Sequence, residues 1–174
     1  PFFLQAITSF RPITRPKEGV GAPMSDLLRA NLDALRRTEP ELADRIAAAE
    51  PAPLQWQASK AGPLYATLAL DGRALSLASR YDPTAEAQKL IAPVDWRRHA
   101  CVVALGLGVG HHLTHLAEQL DDRSVMIVHE PNAALLRAVF ERIDHTAWLG
   151  KANVVVADGQ IDRAGLLRRI EPFA

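Results

Sequence analysis

Cys101-Val-Val-Ala-Leu-Gly-Leu-Gly-Val-Gly-His-His112 joins a five-residue apolar run to three glycines at alternating positions. The run, residues 101–105, predicts a parallel strand buried on both faces. His112 to Leu120 has helical spacing, so Gly106, Gly108 and Gly110 form a turn between a strand and a helix. Such a turn brings the backbone close to an anionic or hydroxyl-rich ligand and aims the free amides of the first helical turn at it. A second apolar run, Ser124-Val-Met-Ile-Val-His129, ends at Glu130, 20 residues past Gly110. A carboxylate at the tip of the second strand can accept hydrogen bonds from ribose hydroxyls. Together these features predict a Rossmann-like half with a nucleotide-type site.

The glycine spacing narrows the ligand. A dinucleotide fingerprint has Gly or Ala where this chain has His111, so a pyrophosphate fits poorly. The pattern G-x-G-x-G is more similar to the turn of class I S-adenosylmethionine methyltransferases, whose ligand carries no phosphate. In that reading Gly106, Gly108 and Gly110 face the methionine part, Glu130 the ribose, and Asp158 the adenine. His111 and His112 line the mouth of the crevice. The competing reading is a turn that only shapes the backbone, since a fold can keep its turn and lose its ligand.

Downstream, Pro131-Asn132 opens a crossover helix with Leu135, Leu136, Val139 and Phe140 on its apolar face. Asn153-Val-Val-Val-Ala157 predicts a third strand ending at Asp158-Gly159, where Asp158 serves equally well as a ligand contact or a plain turn residue. A last helix runs from Ile161 to Ile170 and carries Leu166, Leu167 and Ile170. Right-handed crossovers put the glycine-turn strand at one edge of this parallel βαβαβα half, with its long apolar edge unpaired. The half therefore reads as truncated, the front of a longer protein whose catalytic residues lie beyond Ala174.

Upstream, Ser25 can cap a helix bearing Leu27, Leu28, Leu32 and Leu35, and Thr38-Glu-Pro-Glu41 reads as a capping box for a second helix. Their charges make a solvated face. Leu64 to Leu70 and Arg73 to Ser79 alternate around Asp71-Gly72, a strong hairpin signal, with Leu64, Leu68, Leu70, Leu75 and Leu77 able to share buried faces. Tyr81-Asp-Pro83 leads into a short helix over residues 85–91 with Asp82 as its cap. The expected organisation is an α/β chain. Residues 1–23 are a disordered lead or upstream sequence, with Met24 as the natural start. Residues 24–92 form a helix pair and a β-hairpin, and residues 93–174 the Rossmann-like half.

Lys+Arg and Asp+Glu are equal at 20 each, with no basic block, so neither nucleic acid nor an anionic membrane is favoured as a partner. No apolar run approaches the roughly 20 residues of a membrane span. The single cysteine, Cys101, reads as a small core residue, consistent with a cytoplasmic protein. His111 and His115 are four apart and could chelate a metal, but no third ligand stands at a characteristic spacing, so none is expected. Neither a nucleophile elbow nor a P-loop is present.

The order of these features resembles the N-terminal part of the motility-associated-factor glycosyltransferases, a family linked to flagellin glycosylation that shares a domain with archaeal pterin diphosphokinase-like proteins. The resemblance rests on Asn31-Leu-Asp-Ala-Leu35, Tyr81-Asp-Pro83 with Glu86-Ala87, Val103 to Leu113 and Val128-His-Glu130-Pro. It implies a cytoplasmic enzyme that moves a nonulosonic acid from a CMP-activated donor to Ser or Thr of flagellin, with the catalytic domain after Ala174. In that setting the glycine turn either binds a nucleotide-sugar or shapes the protein. The alternative is a methyltransferase-like or spermidine-synthase-like domain. The helix pair and hairpin favour the first reading, because a methyltransferase does not need them.

Overall fold

The computed structural model describes residues 24–160 and 163–173. The expectations for residues 1–23 and for Ile161 lie outside these.

Helix α1 (Asp26–Arg36) begins at Ser25, whose hydroxyl accepts from the Leu28 amide at 3.2 Å. An N-cap of this type is worth about 1 kcal/mol. Leu28, Leu32 and Leu35 form its buried stripe. Helix α2 (Pro40–Ala48) buries Leu42, Ala43 and Ile46. The expected capping box does not form. Thr38 is still held by the end of α1, where its hydroxyl donates to the Leu35 carbonyl at 3.3 Å, and Glu39 takes the N-cap position without a side-chain bond.

The Asp71-Gly72 hairpin is present, with β2 (Leu64–Leu70) paired antiparallel to β3 (Arg73–Ser76). Both turn residues have positive φ, 49° and 75°, as a two-residue turn of this hand requires. A strand the sequence did not reveal, β1 (Gln55–Ala58), extends the hairpin into a three-stranded sheet in the order β1-β2-β3. The expected leucine face is not buried: Leu75 is 43% exposed, and the buried residues of β2 are Tyr65 and Ala66. The sheet meets the rest of the protein through its end near Leu64 and Leu77, so the hairpin tip stays in solvent.

Helix α3 (Pro83–Ile91) is capped by Asp82, which accepts from the Ala85 amide at 2.9 Å as expected. The second half then runs β4 (Cys101–Leu105), α4 (His111–Gln119), β5 (Val125–His129), α5 (Ala133–Phe140), α6 (Thr146–Leu149), β6 (Val154–Ala157) and α7 (Arg163–Ile170). Its strands are parallel in the order β4-β5-β6, so the α/β class and the edge position of β4 agree with the sequence. Met126, Val128, Val154 and Val156 face a core built with α1, α2, α4, α5 and α6. Val125, Ile127 and Val155 face Leu166 and Ile170 of α7.

Two expectations for β4 fail for one reason. Val103 is 55% and Leu105 73% exposed, and Cys101 is exposed rather than in the core. Helix α7 covers β5 and β6 but stops short of the edge strand, so only Val102 and Ala104, on the opposite face, pack against the core. Among the described residues no helix is long and apolar enough to cross a membrane.

Candidate functional site at the glycine turn

All three turn glycines have positive φ: 89° at Gly106, 54° at Gly108 and 87° at Gly110. This backbone path is what the alternating glycines permit. The Gly106 amide donates to the His129 carbonyl at 2.8 Å, continuing the β4–β5 ladder into the turn. Glu130 is buried, and both of its carboxylate oxygens are engaged. Oε2 accepts from the Leu107 amide at 3.0 Å and Oε1 from the Asn132 amide at 3.1 Å. The acid at the tip of β5 thus ties the glycine turn to the loop that starts α5. Charge-assisted bonds to amides are how a buried carboxylate is held.

Asp158 sits at the tip of β6 and faces away from the turn. Its Oδ2 accepts from Arg45 Nε at 2.8 Å and its Oδ1 from the Gln160 amide at 3.0 Å. Burial pushes its carboxyl upward, but these two bonds outweigh it and hold the group below the usual carboxylate range. Asp158 lines a cleft of about 280 Å³ with Glu39 and Arg45. Gly110, His111 and His112 line a separate cavity of about 160 Å³ against Pro83, Glu86 and Leu90 of α3. Of the residues singled out from the sequence, Asp158 lines one cavity and Gly110, His111 and His112 the other, while Gly106, Gly108 and Glu130 line neither.

The antiparallel sheet closes over the turn. His111 Nε2 lies 2.8 Å from the Leu64 carbonyl, which can only accept, so this nitrogen carries the ring proton. A Cβ on Gly108 would stand 3.2 Å from the Leu77 carbonyl. His112 is largely buried, and burial, then the neighbouring His111, lower its pKa. His115 turns instead to Glu118, 3.2 Å away, so His111 and His115 do not converge. Among the described residues no group of three or more His, Cys, Asp or Glu side chains is gathered for a metal.

Two residues that sequence reasoning missed hold the turn from below. His145 is 1% exposed, and its Nδ1 accepts from Trp148 Nε1 at 3.2 Å. An indole N–H can only donate, so the neutral ring carries its proton on Nε2, which meets the Val109 backbone without a well-aligned hydrogen bond. That edge of the ring packs directly against Gly110. Asn31, fully buried on α1, donates from Nδ2 to the carbonyls of Phe140 (3.0 Å) and Ile143 (2.7 Å), and its Oδ1 accepts from the His145 amide at 2.8 Å. The available signal was an uncharged polar residue inside the Leu28–Leu32–Leu35 stripe.

Burial, then the charge of His111, lowers the pKa of His145 to about 4. Protonation would also put a hydrogen on Nδ1 and break the Trp148 bond. The unfolded chain binds this proton near pH 6.5 and the folded chain only near pH 4, so stability is full above 6.5 and falls as the pH drops between them. The loss expected from His145 is roughly 3 kcal/mol, and His112 acts in the same direction. Urea midpoints taken from pH 7.5 to 4.5 measure it. His145→Gln should be less stable at pH 7.5 but should lose less on acidification. Parallel losses in the two proteins would refute the assignment.

Residues 76–160 match the family described as the glycosyltransferase Maf N-terminal domain. The matched segment runs from the end of β3 through the glycine turn and Glu130 to Gln160. No curated protein and no solved structure matches the chain.

Proposed function

We propose that this chain, whose residues 76–160 belong to the Maf glycosyltransferase N-terminal domain family, is a non-catalytic module of an enzyme that transfers a nonulosonic acid from a CMP-activated donor to Ser or Thr of flagellin. A separate domain carries the chemistry, and the protein works in the cytoplasm. In this reading the glycine turn is the seam between the antiparallel sheet and the parallel half. The observation that carries it is the closure of the turn by Leu64 and Leu77, with only about 160 Å³ left beside Gly110. Sites for nucleotide-sized ligands run from about 300 Å³ upward. The engagement of both Glu130 oxygens by amides supports the same reading, and weighs against S-adenosylmethionine, whose ribose would need that carboxylate.

Calorimetric titration of the chain with S-adenosylmethionine and with CMP is expected to give no saturable heat that depends on Glu130. Incubation with a CMP-activated nonulosonic acid and flagellin should leave the flagellin mass unchanged. S-adenosylmethionine binding that Glu130→Ala weakens would move the assignment to a methyltransferase-like domain. Sugar transfer by this chain alone would place the catalytic centre within it.

A further inference from the structure

The loops after β1 and β3 are joined at the far side of the antiparallel sheet from its hairpin tip. The Lys60 amide donates to the Arg80 carbonyl at 3.1 Å and the Ala61 amide to the Tyr81 carbonyl at 2.9 Å. This brings two cations to one aromatic ring, with Lys60 Nζ 4.7 Å and Arg80 Cζ 5.2 Å from the Tyr81 centroid. Attraction to the ring face offsets part of their mutual repulsion. Neither cation forms an ion pair with a carboxylate among the described residues. Glu86, which lines the adjoining cleft with Arg80 and Tyr81, is turned to the Ser79 amide at 2.7 Å.

Between these loops lies an open cleft of about 520 Å³, lined by Ser59, Lys60, Tyr65, Arg80 and Tyr81. Ser59 is 7% exposed, and its hydroxyl has no hydrogen-bond partner. A shielded hydroxyl donor left unpaired beside two unneutralised cations is an arrangement that an incoming oxyanion would complete. Tyr65 directs its own O–H to Gln57 Oε1 at 2.7 Å, and its oxygen takes no bond from the Ser59 hydroxyl.

We propose that this cleft is an oxyanion-binding site that takes the phosphate or carboxylate of a small molecule. The Arg80 guanidinium and Lys60 ammonium supply charge, and the Ser59 hydroxyl donates the orienting bond. The site shares no residue with the glycine turn and stands whether or not that turn binds a ligand.

Amide chemical shifts of the full 174-residue chain, followed at constant ionic strength, test this. Inorganic phosphate should shift residues 59–61 and 80–81 saturably. Lys60→Gln with Arg80→Gln should weaken binding by about tenfold or more, and Ser59→Ala by a few-fold, as loss of charge-assisted and neutral hydrogen bonds implies. Arg80→Lys keeps the charge and should retain part of the affinity. Tighter binding of CMP than of phosphate assigns a phosphate ligand, and tighter binding of N-acetylneuraminate assigns a carboxylate. Equal shifts with chloride, or unchanged affinity in the double variant, would overturn the site.

Discussion

Gly110→Ala is expected to destabilise the protein by about 2–5 kcal/mol, from left-handed backbone strain plus an overpacked core. At φ 87° an alanine is strained wherever its methyl points, and here the methyl would overlap His145 Cε1 and stand 2.8 Å from Nε2. The ring has nowhere to go, because Trp148 holds its other nitrogen and Asn31 holds its backbone amide. Gly72→Ala is the reference for strain alone: its φ is 75° and nothing lies within 4 Å of the added atom, so about 1–2 kcal/mol is expected. Urea unfolding of the two variants separates the terms. Adding His145→Ala should remove most of the excess at position 110, giving a coupling of about 1–3 kcal/mol. A Gly110→Ala protein no less stable than Gly72→Ala would refute the close packing.

This coupling explains why part of the site was legible in the sequence and part was not. Strand, glycine turn, helix and acidic strand tip are local signals, because periodicity and φ preference are written in neighbouring residues, and the β4-β5-β6 order followed from handedness. Asp82 and Ser25 as caps were equally local. What Glu130 does with its oxygens was not legible, since its partners are the Leu107 amide 23 residues away and its own loop. The closure of the turn by β2 depends on a contact between His111 and Leu64, 47 residues apart, for which the sequence carries no marker. Strand β1 was missed because Gln55-Trp-Gln-Ala58 is short and half polar, and it pairs through backbone bonds that need no apolar face. Exposure of Cys101 and Leu105 was missed because an apolar run reports a strand without reporting how far a helix extends over it.

Asn31→Ala should cost about 3–5 kcal/mol, the upper range for a single side chain, because three backbone groups, two of them in buried bonds and one part-buried, lose their partner at once. The Phe140 and Ile143 carbonyls and the His145 amide belong to the end of α5 and the loop into α6, where no regular ladder can satisfy them. Asn31 does so from α1, so one amide fastens the helix pair to the segment that positions His145 under the glycine turn. The chemistry admits a sharper test than truncation. In Asn31→Asp the accepting oxygen for His145 N–H survives, but an ionised carboxylate facing two carbonyls cannot donate to either. Its folded pKa must therefore rise, because only the protonated acid can donate to one of them. Relative to the unchanged protein, the Asn31→Asp deficit should shrink as the pH falls through the carboxylate range, while the Asn31→Ala deficit stays level. Denaturant unfolding of the three proteins at pH 7 and near pH 4.5 decides the matter. An aspartate deficit that stays constant or grows in acid would mean the Nδ2 bonds do not carry the connection between α1 and the turn.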